Sequence, residues 1–154
     1  MNDLGRYYFS GSVAFLALPA REQLERLEGA KECPVIDFFG LDREKAPLNY
    51  MYAICCIYVT YKNDFYELEN HESASEEFEI ISHKIFLMIH ARSGKNWDIL
   101  SLLKTSDWGE IRTCANRLLS YLDLDFMPLE ICLVPSIFNA DEFRTSDAAS
   151  RLLE

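Results

Sequence analysis

Residues 47–63, PLNYMYAICCIYVTYKN, read in two ways, and the choice decides the fold. As a helix opened by Pro47, the stretch sets Leu48, Tyr52, Cys55 and Val59 on one stripe, with Met51, Ile54 and Tyr58 on the adjoining face. A helix apolar on most sides belongs in the middle of a bundle. The β-branched Ile, Val and Thr would also suit a buried strand. Composition favours the helix, because six Gly and five Pro among 154 residues leave little room for a turn-rich all-β fold.

Working outward, most of the apolar spacing is helical. Pro19 followed by AREQLERLEG predicts a short helix that stops near Gly29. Residues 30–46 mix turn residues with Phe38 and Phe39 and read as a connection with at most one short helical turn. Ser73 and Glu76 form an S-x-x-E capping box ahead of a helix that turns Phe78, Ile81, Ile85 and Met88 or Ile89 inward and ends near Gly94. Asn96 is placed to cap WDILSLLK. Asp107 and Glu110 open a further helix, whose Ile111, Cys114, Ala115, Leu118 and Leu122 make the cleanest amphipathic pattern in the chain. After Pro128, LEICLVPSIF reads as a strand or a broken helix, and residues 139–154 as a helical tail. The expectation is one all-α domain over residues 1–154, an irregular helical bundle of about five to seven helices, with room for a short strand near 130–134.

Hydrophobic residues at 49% and charged residues at 26% are ordinary globular usage. The net charge of −10 argues against nucleic acid and anionic membrane surfaces as ligands, since both call for basic residues. Five cysteines (Cys33, Cys55, Cys56, Cys114, Cys132) include no C-x-x-C pair, so reduced, buried thiols in a cytoplasmic protein are expected. The apolar stretch VAFLALPA at 13–20 lacks the small residue that a cleavage site would need at Leu18, and is not read as an export signal.

Motifs for chemistry are few. Glu79, His83 and His90 would fall near one face of a helix, and a Glu and a His four apart can point the same way. Yet neither H-E-x-x-H nor E-x-x-H occurs, and no second helix carries matching pairs. No G-x-S-x-G elbow and no phosphate-binding loop is found, since RSGKNW at 92–97 lacks the loop's leading glycine. The expectation is therefore no metal, no cofactor and no enzyme. The runner-up is a helical enzyme or ligand sensor with a pocket built around Glu79, His83 and His90.

Charge is the one asymmetry with content. Residues 84–117 hold six basic and three acidic side chains, a net of +3 that leaves −13 for the rest of the chain. Within that rest, DFYELENHESASEEFE at 64–79 carries seven acids and no Lys or Arg: Asp64, Glu67, Glu69, Glu72, Glu76, Glu77 and Glu79. Helix-end electrostatics accounts for Glu76, Glu77 and Glu79, each worth about 0.3–1 kcal/mol near an N-terminus. It leaves Asp64, Glu67, Glu69 and Glu72 unexplained. A docking surface for a basic protein explains them, with Phe65 and Tyr66 as apolar anchors. A small acidic protein without catalytic motifs suits an immunity protein, an antitoxin-type inhibitor of a basic antibacterial toxin domain such as a nuclease.

Overall fold

Residues 9–17 supply the centre of the molecule: every one of them is buried. They belong to the first helix, α1 (Asp3–Ala17), which the sequence pattern does not announce. Periodicity reveals a helix only when one side stays polar, and this segment is covered all round. The computed structural model describes residues 3–40, 42–90, 103–124 and 127–129. Along them follow α2 (Ala20–Gly29), α3 (Pro34–Phe39), α4 (Ala46–Tyr61), α5 (Ser75–His90) and α6 (Ser106–Leu122), with 3₁₀ turns at Ala30–Glu32, Arg43–Lys45, Lys62–Glu67 and His71–Ala74. The fold is an all-α helical bundle, and no strand occurs among the described residues. The strand near 130–134, the helix end at Gly94, the Asn96 cap and the helical tail lie outside those residues. Among the described residues no helix is long and apolar enough to cross a membrane.

The stretch at 47–63 is helical in α4, which continues as a 3₁₀ turn. α4 runs antiparallel to α1, as ring contacts between Tyr8 and Tyr61, Phe9 and Tyr58, and Phe15 and Tyr50 mark along its length. α6 packs on another side of α1 and also against α5, with Ile111, Cys114, Ala115, Leu118 and Leu122 all buried as their spacing predicts. On α5, Phe78, Ile81, Ile85 and Ile89 face the core. The S-x-x-E box does not form as expected. The Ser73 amide, which Glu76 would accept from, already donates to the Asn70 carbonyl at 3.0 Å, and α5 starts only at Ser75 after a 3₁₀ turn.

Burying α1 leaves its last carbonyls needing donors. Gln23 of α2, fully buried, supplies two of them: its Nε2 donates to the carbonyls of Phe15 and Leu16, both at 3.0 Å. Its Oε1 accepts from Trp108 Nε1 at 3.1 Å and from Arg112 Nε and Nη2 at 3.3 and 2.9 Å. Asn116 Nδ2 donates to the Ala17 carbonyl at 2.8 Å. One side chain thus joins α1, α2 and α6. Further along α1, the chain after α6 crosses at Gly11: the Leu129 amide donates to the Gly11 carbonyl at 3.0 Å, and Tyr50 Oη donates to the Leu129 carbonyl at 3.3 Å. A Cβ at position 11 would stand 3.0 Å from Leu129 Cβ, so any larger residue would push this crossing apart by a few tenths of an ångström.

Replacing Gln23 with Ala should cost about 2–3 kcal/mol, because it takes a buried donor from the Leu16 carbonyl and the acceptor from the Trp108 indole N–H, while the Phe15 carbonyl keeps the Leu18 amide at 3.1 Å. Urea unfolding midpoints would measure the loss. A cost below about 1 kcal/mol would mean that water or a neighbour can replace the amide.

Candidate functional site

The acidic stretch at 64–79 is built on two 3₁₀ turns and the first turn of α5. The first turn, Lys62–Glu67, has three residues per revolution, which carries Phe65 and then Leu68 inward. Phe65 stacks on Phe78 of α5 with ring centroids 3.9 Å apart and planes 4° from parallel, and Phe9 of α1 lies 6.4 Å from each of these two rings. The turns are therefore pinned to the core by aromatic packing. Between them Asn70 takes the left-handed conformation at φ 61°, which sends the chain back toward α5.

The pinning sorts the expected contact residues. Phe65 is fully buried and cannot serve as a surface anchor, a correction to the sequence expectation. The stacked pair with Phe78 uses the face that a partner would need. Its neighbour Tyr66 keeps the anchor position: it is 52% exposed, edge-on to Phe65 and to Phe78 at 5.3 and 5.5 Å. His71 packs beside Tyr66 with centroids 6.0 Å apart, and its Nδ1 lies 3.0 Å from the Leu68 carbonyl. Glu67, Glu69, Glu72, Glu76 and Glu79 are exposed, and Asp64 is half-buried. Glu77 departs from the group, set down into the surface at 8% exposure. Leu68, Glu69, Asn70, His71, Glu72 and Ser73 line a shallow depression at the elbow between the two turns. Glu69, Glu72, Glu76 and Glu79 form no ion pair among the described residues.

Elsewhere several acids are paired, although Glu22, Glu32 and Asp123 form no ion pair among the described residues. Lys84 on α5 reaches Asp107 at 2.7 Å and Glu110 at 3.1 Å on α6. Lys31 reaches Glu28 at 2.9 Å and Glu44 at 3.3 Å, and Arg43 bonds the Lys31 carbonyl and, at 2.6 Å, Asp37. Among the described residues the unpaired acids are densest between Glu69 and Glu79.

The other expected chemistry is dispersed. Glu79 and His83 both lie on the solvent side of α5, and the side chain of His90 is outside the described set. Among the described residues no three His, Cys, Asp or Glu side chains are gathered to hold a metal ion. Cys55, Cys56 and Cys114 are buried free thiols, and Cys33 is half-buried. Burial, aided by the adjacent Cys56, pushes the Cys55 thiol far above its ordinary range, so the reactive thiolate is suppressed. Burial likewise raises the Tyr58 hydroxyl, which shares a 2.8 Å hydrogen bond with Ser82 Oγ. Comparison with known protein families, curated proteins and solved structures finds no match.

The Lys84 triad gives a pH signature. Hydrogen bonds to Asp107 and Glu110 raise its pKa above 10.5. A raised ammonium lends stability that is complete below pH 10.5 and is lost as pH climbs through the folded value. Guanidinium unfolding of wild type and Lys84→Met should therefore give a stability gap that is constant well below pH 10.5 and narrows as pH climbs above it. A gap that persists unchanged at pH 12 would mean that packing of the Lys84 stem, not its charge, holds the seam.

Proposed function

We propose that this protein is an immunity protein, an antitoxin-type inhibitor that binds and neutralises a basic antibacterial toxin domain through the acidic elbow, acting in the cytoplasm by binding rather than by catalysis. The observation that carries the reading is the set of exposed carboxylates at Glu69, Glu72, Glu76 and Glu79, left without counter-ions on a rigidly held turn beside the exposed ring of Tyr66. Helix-end electrostatics stabilises Glu76 at the start of α5, but the fold's own stability does not call for Glu69 and Glu72 without partners here, where it pairs other acids at Lys31, Arg43 and Lys84. A domain that attacks nucleic acid must be basic to hold phosphate, so its inhibitor benefits from the opposite sign. Complementary fields speed encounter by roughly 10- to 1,000-fold and disfavour like-charged competitors. Tyr66 provides the aromatic contact that turns steering into residence.

Immobilised full-length protein incubated with native lysate, washed at low and at high salt and read by mass spectrometry, should retain one basic protein. Co-expression should then abolish that protein's toxicity. Retention without rescue would assign the surface to an adaptor or regulatory subunit, and no basic protein at either salt would overturn the reading.

Reversing Glu69, Glu72 and Glu76 together to Lys should slow association at least about tenfold at low salt. The difference should shrink as salt shortens the screening length. Stopped-flow binding across ionic strength measures both. Because all three side chains are exposed, the changes at Glu69 and Glu72 should each alter unfolding free energy by no more than about 0.5 kcal/mol, and the change at Glu76, in the first turn of α5, by about 1 kcal/mol. An unchanged association rate would remove these residues from the interface.

A further inference from the structure

Three tyrosines meet at the surface where α1 lies against α4. On α1, Leu4, Tyr7, Tyr8 and Gly11 recur at the three- and four-residue steps that share one side of a helix. Leu4 and Tyr7 are 57% and 55% exposed, and Tyr8 is half-buried. Tyr7 meets Tyr8 edge-on at 5.3 Å, and Tyr8 stacks on Tyr61 of α4 at 5.0 Å with planes 16° apart. Half-buried Ile57 lies one turn before Tyr61. Single exposed aromatics are ordinary, whereas a contiguous apolar set drawn from two helices marks a contact surface.

This tyrosine face runs into the acidic elbow. Tyr61 is the residue from which the 3₁₀ turn Lys62–Glu67 departs. Side chains three apart eclipse in such a turn, so Tyr61, Asp64 and Glu67 form one row, distinct from the inward row of Phe65 and Leu68 and from Tyr66. Because α1 and α4 are antiparallel, the path from Tyr8 to Leu4 follows the chain from Tyr61 toward that turn, which α1 also contacts. Asp64 forms no ion pair among the described residues. The cations nearest in sequence belong to other sides. Half-buried Lys62 falls in the row of Phe65 and Leu68, and Arg6 lies about 160° round the helix from Leu4 and Tyr8.

We infer that this tyrosine face docks an arginine-bearing segment of the basic partner, with a guanidinium lying flat on the rings and its N–H groups turned to Asp64. The inference rests on the inhibitor reading for its occupant. Charge complementarity calls for a cation, since a chain of net charge −10 sets two acids in register with Tyr61. The rings call for arginine rather than lysine. A planar guanidinium stacks on an aromatic face while still reaching a carboxylate, whereas an ammonium is a compact, strongly hydrated charge. Area points the same way. A stable interface buries about 800 Å² on each partner, more than one exposed ring and its neighbouring carboxylates supply. The elbow then lies between two aromatic contacts, Tyr66 on one side and the Tyr7–Tyr8–Tyr61 face on the other.

Tri-arginine amide, titrated at low ionic strength into the full-length protein carrying isotope-labelled tyrosine rings and followed by NMR, tests this without any partner. Saturable shifts should appear at the rings of Tyr7, Tyr8 and Tyr61, and tri-lysine amide should bind at least about twofold more weakly. Tyr7→Leu, which removes an exposed ring, should weaken tri-arginine binding about two- to fivefold, whereas Tyr7→Phe, which keeps the ring, should leave it unchanged. Asp64→Asn should weaken it about twofold or more. Absence of saturable shifts at these three rings would overturn the inference. So would equal binding of the two peptides that survives Tyr7→Leu. The two proposals fail separately. An empty lysate capture sinks the inhibitor reading and leaves the arginine-binding face, whereas a captured partner that binds Tyr7→Leu at wild-type affinity sinks the tyrosine face alone.

Discussion

The buried amide of Gln23 is the constraint on which the arrangement depends. A helix surrounded on all sides, as α1 is from Phe9 to Ala17, cannot send its terminal carbonyls to water. Gln23 answers two of them and offers its oxygen to Trp108 and Arg112 in the same stroke. The geometry admits few settings of α2 and α6 against α1, because one planar amide must satisfy donors and acceptors from both. Arg112 shows the cost of the arrangement: partial burial lowers its pKa, and its guanidinium is held by an amide oxygen rather than a carboxylate. With α6 so fixed, α5 is placed by the Lys84 triad and the apolar seam of Phe78, Ile81 and Ile85.

From that frame follows the display of charge. Phe65 stacked on Phe78 ties the first 3₁₀ turn to α5, so the acids between them are carried on a short, pinned elbow. A pre-organised surface loses little freedom on binding, which matters for an interface that begins with long-range attraction. The same packing sets Tyr66 outward, giving the elbow an exposed aromatic ring beside its carboxylates.

How much of this was legible in the sequence depends on which side of each element is wet. α6 and α5 showed themselves because each keeps a polar face, and 47–63 showed itself as apolar on most sides. α1 had no wet face and left no period to read. Phe65 and Tyr66 are adjacent and chemically alike, so nothing in the sequence says which turns inward until the three-residue pitch of the 3₁₀ turn is known. Glu77 did leave a signal: it lies four residues before Ile81 and so on the inward stripe of α5. Gln23 left the same kind, four before the buried Leu27. A polar residue in an apolar register marks a side chain held against the core, which the number of acids alone does not show.

The central claim is that recognition runs through the acidic elbow. Hydrogen–deuterium exchange of the full-length protein, free and saturated with its captured basic partner, tests this most directly. The account predicts new protection concentrated in residues 64–79, with the amides of α2 and α3 unchanged. Protection centred on α2 and α3, with the elbow exchanging as fast as before, would contradict it.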